Sequence, residues 1–135
     1  MKIADFSRTE LLIGTDALKR LKQTKVAIAG LGGVGSYAAE ALVRAGIGSF
    51  ILVDFDTVGA TNINRQLLAT QDSIGKVKTE LMRERILSIN PAAEVLCHQV
   101  FLDSENRSEL LANADFIIDA IDSLGPKIGL LEELA

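Results

Sequence analysis

The run Gly30-Leu31-Gly32-Gly33-Val34-Gly35 has the spacing Gly-x-Gly-x-x-Gly, directly after a short apolar segment and at the mouth of a helical pattern. Glycines at these places allow a tight turn and let backbone N–H groups approach a phosphate, whose charge then faces the positive end of the helix dipole. Asp54 closes the next apolar segment, where an acid accepts hydrogen bonds from a ribose hydroxyl. Together these residues predict a nucleotide site. They do not choose the nucleotide, because a nicotinamide-dependent dehydrogenase carries the same glycines and the same acid.

Three polar features point to ATP. The loop from Asp54 to Gln66 places Asp56, Asn62, Asn64 and Arg65 just beyond a strand end, the edge where open α/β sheets bind ligands. Read alone, it is equally an ordinary polar loop whose Asn residues cap turns. In Gly75-Lys76-Val77-Lys78, an advance of about 100° per residue puts Lys78 on the side of Leu81, Met82 and Ile89, with Lys76 nearly opposite. A lysine facing the sheet needs an anion, which a phosphate supplies. Arg85 shares that face and makes the stripe imperfect, and a solvated helix start is the alternative. In Asp119-Ala120-Ile121-Asp122-Ser123, two carboxylates repel unless a cation or hydrogen bonds compensate them, which suits Mg²⁺ with a nucleotide phosphate. Asp119 is alternatively a buried structural acid. Asp122 lies past the strand and is the candidate metal ligand.

The elements that must position these groups alternate short apolar strands with amphipathic helices, the pattern of a mainly parallel α/β sheet covered on both faces. Strands are expected at Val26 to Ala29, Phe50 to Val53, Glu94 to Val100 and Phe116 to Ile121. Helices are expected at Val34 to Ala45, from Ser73 or nearby to about Asn90 before Pro91, from about Ser104 to Ala112, and from Pro126 onward. A short helical segment precedes them. Ser7 and Glu10 have capping-box spacing, Phe6 and Leu11 stand where a hydrophobic staple packs, and Gly14 is the stop. A second helix covers Asp16 to Lys22. Cys97 and His98 are adjacent in a strand, point to opposite faces, and read as structural.

At 48% hydrophobic and 24% charged, the 135-residue chain has a globular composition that fits one domain. Only 4% of residues are aromatic and the net charge is −4, which argues against a base-stacking surface and against a phosphate footprint spread over the whole molecule. Lys19, Arg20, Lys22 and Lys25 form the one dense basic run. It reads either as a phosphate-backbone contact or as a solvated helix end complementing its dipole. A lone Cys97 excludes an internal disulfide framework and a Cys-rich zinc cage, leaving the reducing cytoplasm as the simplest compartment. The N-terminus has acid and base where a signal peptide needs an apolar core. The longest Gly-plus-apolar run, Val26 to Gly35, is far short of the roughly 18 residues of a membrane span.

Phe6-Ser7-Arg8, the Gly30 to Gly35 loop with Ser36, Asp54-x-Asp56, Asn62-Ile63-Asn64-Arg65-Gln66, Gly75-Lys76-x-Lys78 and Asp119-x-x-Asp122 occur in the order found in the ubiquitin-activating-enzyme-like superfamily of adenylating enzymes, which the chain resembles over nearly its whole length. That superfamily includes the sulfur-carrier adenylyltransferases of molybdopterin and thiamine synthesis. Phe-Ser-Arg-Thr-Glu-Leu-Leu-Ile-Gly, Thr-Asn-Ile-Asn-Arg-Gln and Asp-Ala-Ile-Asp-Ser are most similar to its tRNA threonylcarbamoyladenosine dehydratase branch. The resemblance implies a Rossmann-like fold and activation of a carboxylate by ATP and Mg²⁺. In the dehydratase branch the carboxylate belongs to a modified tRNA adenosine. Gly30, Gly32, Gly33 and Gly35 would hold the nucleotide and Asp54, in its motif with Asp56, the ribose. Asn62, Arg65 and Lys78 would contact phosphates, and Asp122 would bind Mg²⁺. Arg8 would reach into the neighbouring subunit's site, which implies a homodimer.

The alternatives are a sulfur-carrier adenylyltransferase, with a carrier or sulfur-donor protein as partner, and an NAD-dependent dehydrogenase, which leaves Asn62, Arg65, Lys78 and Asp122 without a role. Against the family, residues 1–135 look like the N-terminal ATP-binding part of a longer enzyme, with little turnover expected of the fragment. Nothing suggests a membrane partner.

Overall fold

A computed structural model describes residues 3–122 and 124–134, so Met1, Lys2, Ser123 and Ala135 lie outside the described residues. Its elements run α1 (Ser7–Ile13), α2 (Thr15–Gln23), β1 (Lys25–Ala29), α3 (Gly35–Ala45), β2 (Ser49–Val53), α4 (Lys78–Ile89), β3 (Glu94–His98), α5 (Arg107–Leu111), β4 (Phe116–Asp119) and α6 (Leu124–Leu134). The strands form one parallel sheet in the order β3-β2-β1-β4. Helices lie on both faces, as the near-continuous apolar strands require.

Alternation along β1 and β2 sorts the core into two layers. Val26, Ile28, Phe50 and Leu52 pack with Ala39 and Val43 of α3 and Met82 and Ile86 of α4. Ala27, Ala29, Ile51 and Val53 face the other way, against Leu102, Leu111 of α5 and Leu130 of α6. Each large side chain buried in this way contributes about 2 to 3 kcal/mol.

Several boundaries differ from those read in the sequence. Helix α4 opens at Lys78 and not at Ser73, because Gln71–Ser73 forms a separate 3₁₀ turn and Gly75 takes φ +85°, a left-handed conformation that no helix accommodates. Strands β3 and β4 stop at His98 and Asp119. Asp103 Oδ1 accepts the N–H groups of Glu105 and Asn106 and holds a turn where a helix start was expected, so α5 begins at Arg107. The capping box and staple do not form. Asp5 Oδ1 accepts the Ser7 N–H at 2.9 Å instead, and Leu11 is 84% exposed. Gly14 does terminate α1, at φ +87°. Pro126 sits in the first turn of α6, where a missing N–H costs nothing.

Helices α3 and α4 are joined by an ion pair. Arg85 donates from Nε to Glu40 Oε1 at 2.6 Å and from Nη2 to Oε2 at 2.7 Å, and Arg44 approaches the same carboxylate at 3.3 Å. The Arg85 bonds hold the Glu40 carboxyl below its ordinary value of 4.5, against the opposing effect of burial. A carboxylate depressed in the folded state stabilises above its unfolded value, and that stability fades as pH falls through the folded value. Glu40→Gln should therefore lower the melting temperature by about 4 °C at neutral pH, for roughly 1 kcal/mol. The gap between variant and parent should close below about pH 4.5, as thermal unfolding across a pH series would show. A gap that persisted in acid would contradict the assignment.

Candidate active site

Parallel strands bring the carboxyl ends of β1, β2 and β4 to one edge, and a cavity of about 340 Å³ opens there. Its rim begins with the glycines. Gly30 leaves β1 at φ +97°, and a Cβ on it would lie 2.5 Å from the Ala120 carbonyl oxygen. A Cβ on Gly35 would lie 1.7 Å from the Gly30 oxygen. Glycine is thus demanded at both places by neighbouring backbone. Gly32 and Gly33 have ordinary clearance, at 3.5 Å or more, and line the cavity directly.

Asp54, at the end of β2, ties two loops together. Its Oδ2 accepts the Leu31 N–H and its Oδ1 the Asp56 N–H, each at 2.7 Å. Each carboxylate oxygen keeps a further lone pair for a hydroxyl in the cavity. Asp56 lines the cavity as well.

The following segment zips back onto this loop. The Val58 N–H donates to the Lys76 carbonyl at 2.8 Å, the Gly75 N–H to the Val58 carbonyl at 2.8 Å, and the Lys78 N–H to the Asp56 carbonyl at 3.2 Å. That ladder sets the first turn of α4 beside Asp54. Lys78 lines the cavity and is only 5% exposed, whereas Lys76 faces solvent. Among the described residues no carboxylate forms an ion pair with Lys78. A buried ammonium without an anion is costly, and an anion in the cavity would relieve that cost. Arg85, the flaw in the sequence stripe, is matched by Glu40 and does not compete for this role.

Arg65 lines the cavity, with Nη1 donating to the Thr61 carbonyl and Asn64 Oδ1 and the rest of the guanidinium left for a ligand. Asn62 is placed otherwise: its Oδ1 accepts the Gly59 N–H at 2.8 Å and it does not line the cavity. The two strand-end acids also part company. Asp119 pairs with Lys127 at 2.9 Å, so its compensating cation is a side chain of this chain, as suits the structural alternative. Asp122 is exposed and lines the cavity. Among the described residues no three His, Cys, Asp or Glu side chains cluster as a metal cage. Arg8 is exposed on α1, which buries none of its residues, and the structure does not bring Arg8 to this cavity. Lys19, Arg20 and Lys22 lie in α2, which leads into the amino end of β1, at the edge opposite the cavity.

Cys97 donates to the Thr79 carbonyl and packs with the α3–α4 layer, and burial pushes its thiol up to about 11. It behaves as a core residue. No helix among the described residues is long and apolar enough to cross a membrane.

Sequence reasoning passed over part of the lining. Phe55 and Phe101 stack at 4.4 Å between ring centroids, and with Leu102 and Ile121 they form an apolar side of the cavity. Gln66 also lines it and buries an Oε1 that has no hydrogen-bond partner among the described residues. Gln66 stood next to Arg65 in the motif. Phe101 was hidden because β3 was expected to run on to Val100.

Known proteins share this sequence pattern and fold. The chain is 46% identical over 129 residues to the tRNA threonylcarbamoyladenosine dehydratase of Bacillus subtilis, covering 95% of this chain and 51% of that protein. It is 36% identical to the adenylyltransferase and sulfurtransferase MOCS3 of Drosophila willistoni, covering 93% of this chain and 28% of that one. It superposes with a TM-score of 0.93 and 40% identity on a crystal structure of the Escherichia coli tRNA N6-threonylcarbamoyladenosine dehydratase, TcdA, in complex with ATP, covering 98% of this chain and 57% of that one. The chain spans about half the length of the curated dehydratases it matches. The ThiF family profile matches residues 6–131, from the first helix through nearly all of the last, and the chain accordingly belongs to the ThiF family.

Proposed function

We propose that the chain is the nucleotide-binding portion of an ATP-dependent enzyme that adenylates a carboxylate, of the tRNA threonylcarbamoyladenosine dehydratase type. The observation that carries this reading is Lys78, a residue 5% exposed that lines a glycine-lined cavity and has no ion-pair partner among the described residues. A nicotinamide dehydrogenase has no use for that arrangement.

In this reading the glycine loop's N–H groups hold phosphate oxygens and Asp54 holds the ribose. A substrate carboxylate oxygen attacks the α-phosphorus, the bond to the bridging oxygen breaks, and pyrophosphate leaves. Lys78 and Arg65 stabilise the negative charge that builds on the phosphate oxygens, which is electrostatic catalysis needing no side-chain nucleophile. A nucleophilic atom of the activated threonylcarbamoyl group then attacks the acyl carbon and loses its proton to solvent, and AMP departs carrying the former carboxylate oxygen. The substrate has then lost the elements of water, its oxygen on AMP and its proton to solvent. Asp122 is the residue that would hold Mg²⁺, and an isolated exposed carboxylate suits that ion, which takes one or two carboxylates and completes its shell with substrate phosphates and water. When bound, it supplies charge neutralisation on the leaving pyrophosphate. Asn62 acts one step back, by holding the Gly59 turn of the loop that carries Arg65.

Arg8 serves the site of a second copy, so the working unit is a homodimer in the cytoplasm with tRNA as substrate. Exposed Leu11 and Leu12 beside Arg8 on α1 support such a contact. A sulfur-carrier adenylyltransferase would use the same cavity on a protein's C-terminal carboxylate, and the lower identity to MOCS3 disfavours it.

Calorimetric titration with ATP and with NAD tests the nucleotide. ATP should bind at least about ten-fold more tightly, because NAD places no terminal phosphate against Lys78 and Arg65. Tighter binding of NAD would overturn the proposal.

A further inference from the structure

Helix α3 starts at the last glycine of the phosphate loop and helix α4 starts at Lys78, so the two halves of the phosphate site ride on different helices. They are also anchored separately. The glycine loop is fixed by the tight packing of Gly30 and Gly35 against each other and against Ala120. Lys78 is fixed by the ladder to Asp56 and Val58. Between the helices lies an apolar seam of Ala39, Val43, Met82 and Ile86. Packed apolar helices slide past one another by an ångström or so at small cost. A bidentate guanidinium–carboxylate pair has fixed length and direction and resists such sliding. The one ion pair joining α3 and α4 among the described residues is Glu40–Arg85, with contacts of 2.6 and 2.7 Å. Glu40 stands in the second turn after Gly35, and Arg85 two turns after Lys78.

We infer that Glu40 and Arg85 are a positioning pair that sets the Lys78 ammonium in register with the N–H groups of the glycine loop, so that both grip one polyphosphate. The inference rests on the reading of the cavity as an ATP site. It gives a function to the residue that spoils the apolar stripe of α4. Arg85, its side chain 41% exposed, interrupts the stripe because its partner is on the neighbouring helix.

A pair that only stabilised the fold would leave the affinity of the folded protein for all ligands unchanged. A positioning pair acts on phosphate and spares the nucleoside. The test is calorimetry well below the melting temperature, with ATP and with adenosine, on the parent, Arg85→Met, Glu40→Gln and the double variant. Each single variant should bind ATP about ten-fold more weakly and adenosine within about two-fold of the parent. The double variant should be no weaker than either single, as coupled residues require. Arg85→Lys, which keeps the cation and loses the fork, should fall between, and it serves if Arg85→Met does not fold. Unchanged ATP affinity, equal loss of ATP and adenosine, or additive losses in the double variant would each overturn the inference. A parent that binds no ATP would overturn both the cavity reading and the inference. A parent that binds ATP without a phosphate-selective loss in the variants removes the inference alone.

Discussion

Replacing Lys78 with methionine should abolish most ATP binding while raising the melting temperature of the ligand-free protein. The two effects have one origin. Lys78 is 5% exposed, it lines the cavity, and no carboxylate among the described residues forms an ion pair with it. Its desolvation is a cost the empty protein bears, and an apolar chain of similar length removes that cost. A gain of about 1 kcal/mol, or roughly 4 °C, is expected from thermal unfolding without ligand. With ATP present the order reverses. Loss of a charge-assisted contact to phosphate should weaken binding by about 2 kcal/mol, roughly thirty-fold. In ATP–pyrophosphate exchange, where the same cation meets charge developing in the transition state, the loss should reach about a hundred-fold. Arg65→Ala should behave similarly in exchange. Lys76→Ala should stay within about two-fold of the parent, since Lys76 points to solvent. Equal losses at Lys76 and Lys78 would sink the residue assignment.

Gly35→Ala should leave no measurable nucleotide site. One methyl group at that position would stand 1.7 Å from the Gly30 oxygen and 2.8 Å from the Gly30 carbon, and neither backbone atom belongs to a side chain that can swing away. The loop must move, and Gly30 has little freedom because it sits under Ala120. Overpacking of this kind costs about 3 kcal/mol, which lowers the melting temperature by roughly 10 °C. Gly33→Ala is the control. Its added carbon would meet nothing closer than 3.5 Å, so the fold should tolerate it while the phosphate's approach is hindered. Differential scanning calorimetry and ATP titration of the two variants should therefore separate folding from binding. A Gly35→Ala protein that melts and binds like the parent would refute this packing.

The fold was legible because parallel strands covered on both faces are short apolar runs, and Val26 to Ala29 and Phe50 to Val53 stand out as such. The glycine loop and Asp54 were legible because their chemistry is local. Lys78 needed a helical period, which held even though the helix starts five residues later than Ser73. What escaped was set by contacts distant in sequence. Asp119 faced a missing cation in the sequence, yet Lys127 supplies it once α6 folds back. The Ser7–Glu10 capping box was displaced because Asp5 takes the Ser7 N–H that Glu10 would accept, and the Glu10 N–H donates to the Phe6 carbonyl instead of to Ser7. Phe101 entered the cavity because the chain after His98 turns across the sheet edge. No hydrophobic period reports such a turn.

The strand order also imposes a timetable. β1 lies between β2 and β4, and the Lys25 N–H donates to Asp115 Oδ2 at 2.8 Å across a large stretch of chain. On a ribosome the glycine loop and Asp54 emerge before the Ala120 carbonyl that closes over Gly30, which follows β4. Until then β1 has one free side and the phosphate loop has no lid of backbone above it. Nucleotide therefore cannot act as an early folding template. It can reward only a chain whose β4 has already docked, which makes ATP retention a reporter of synthesis through β4.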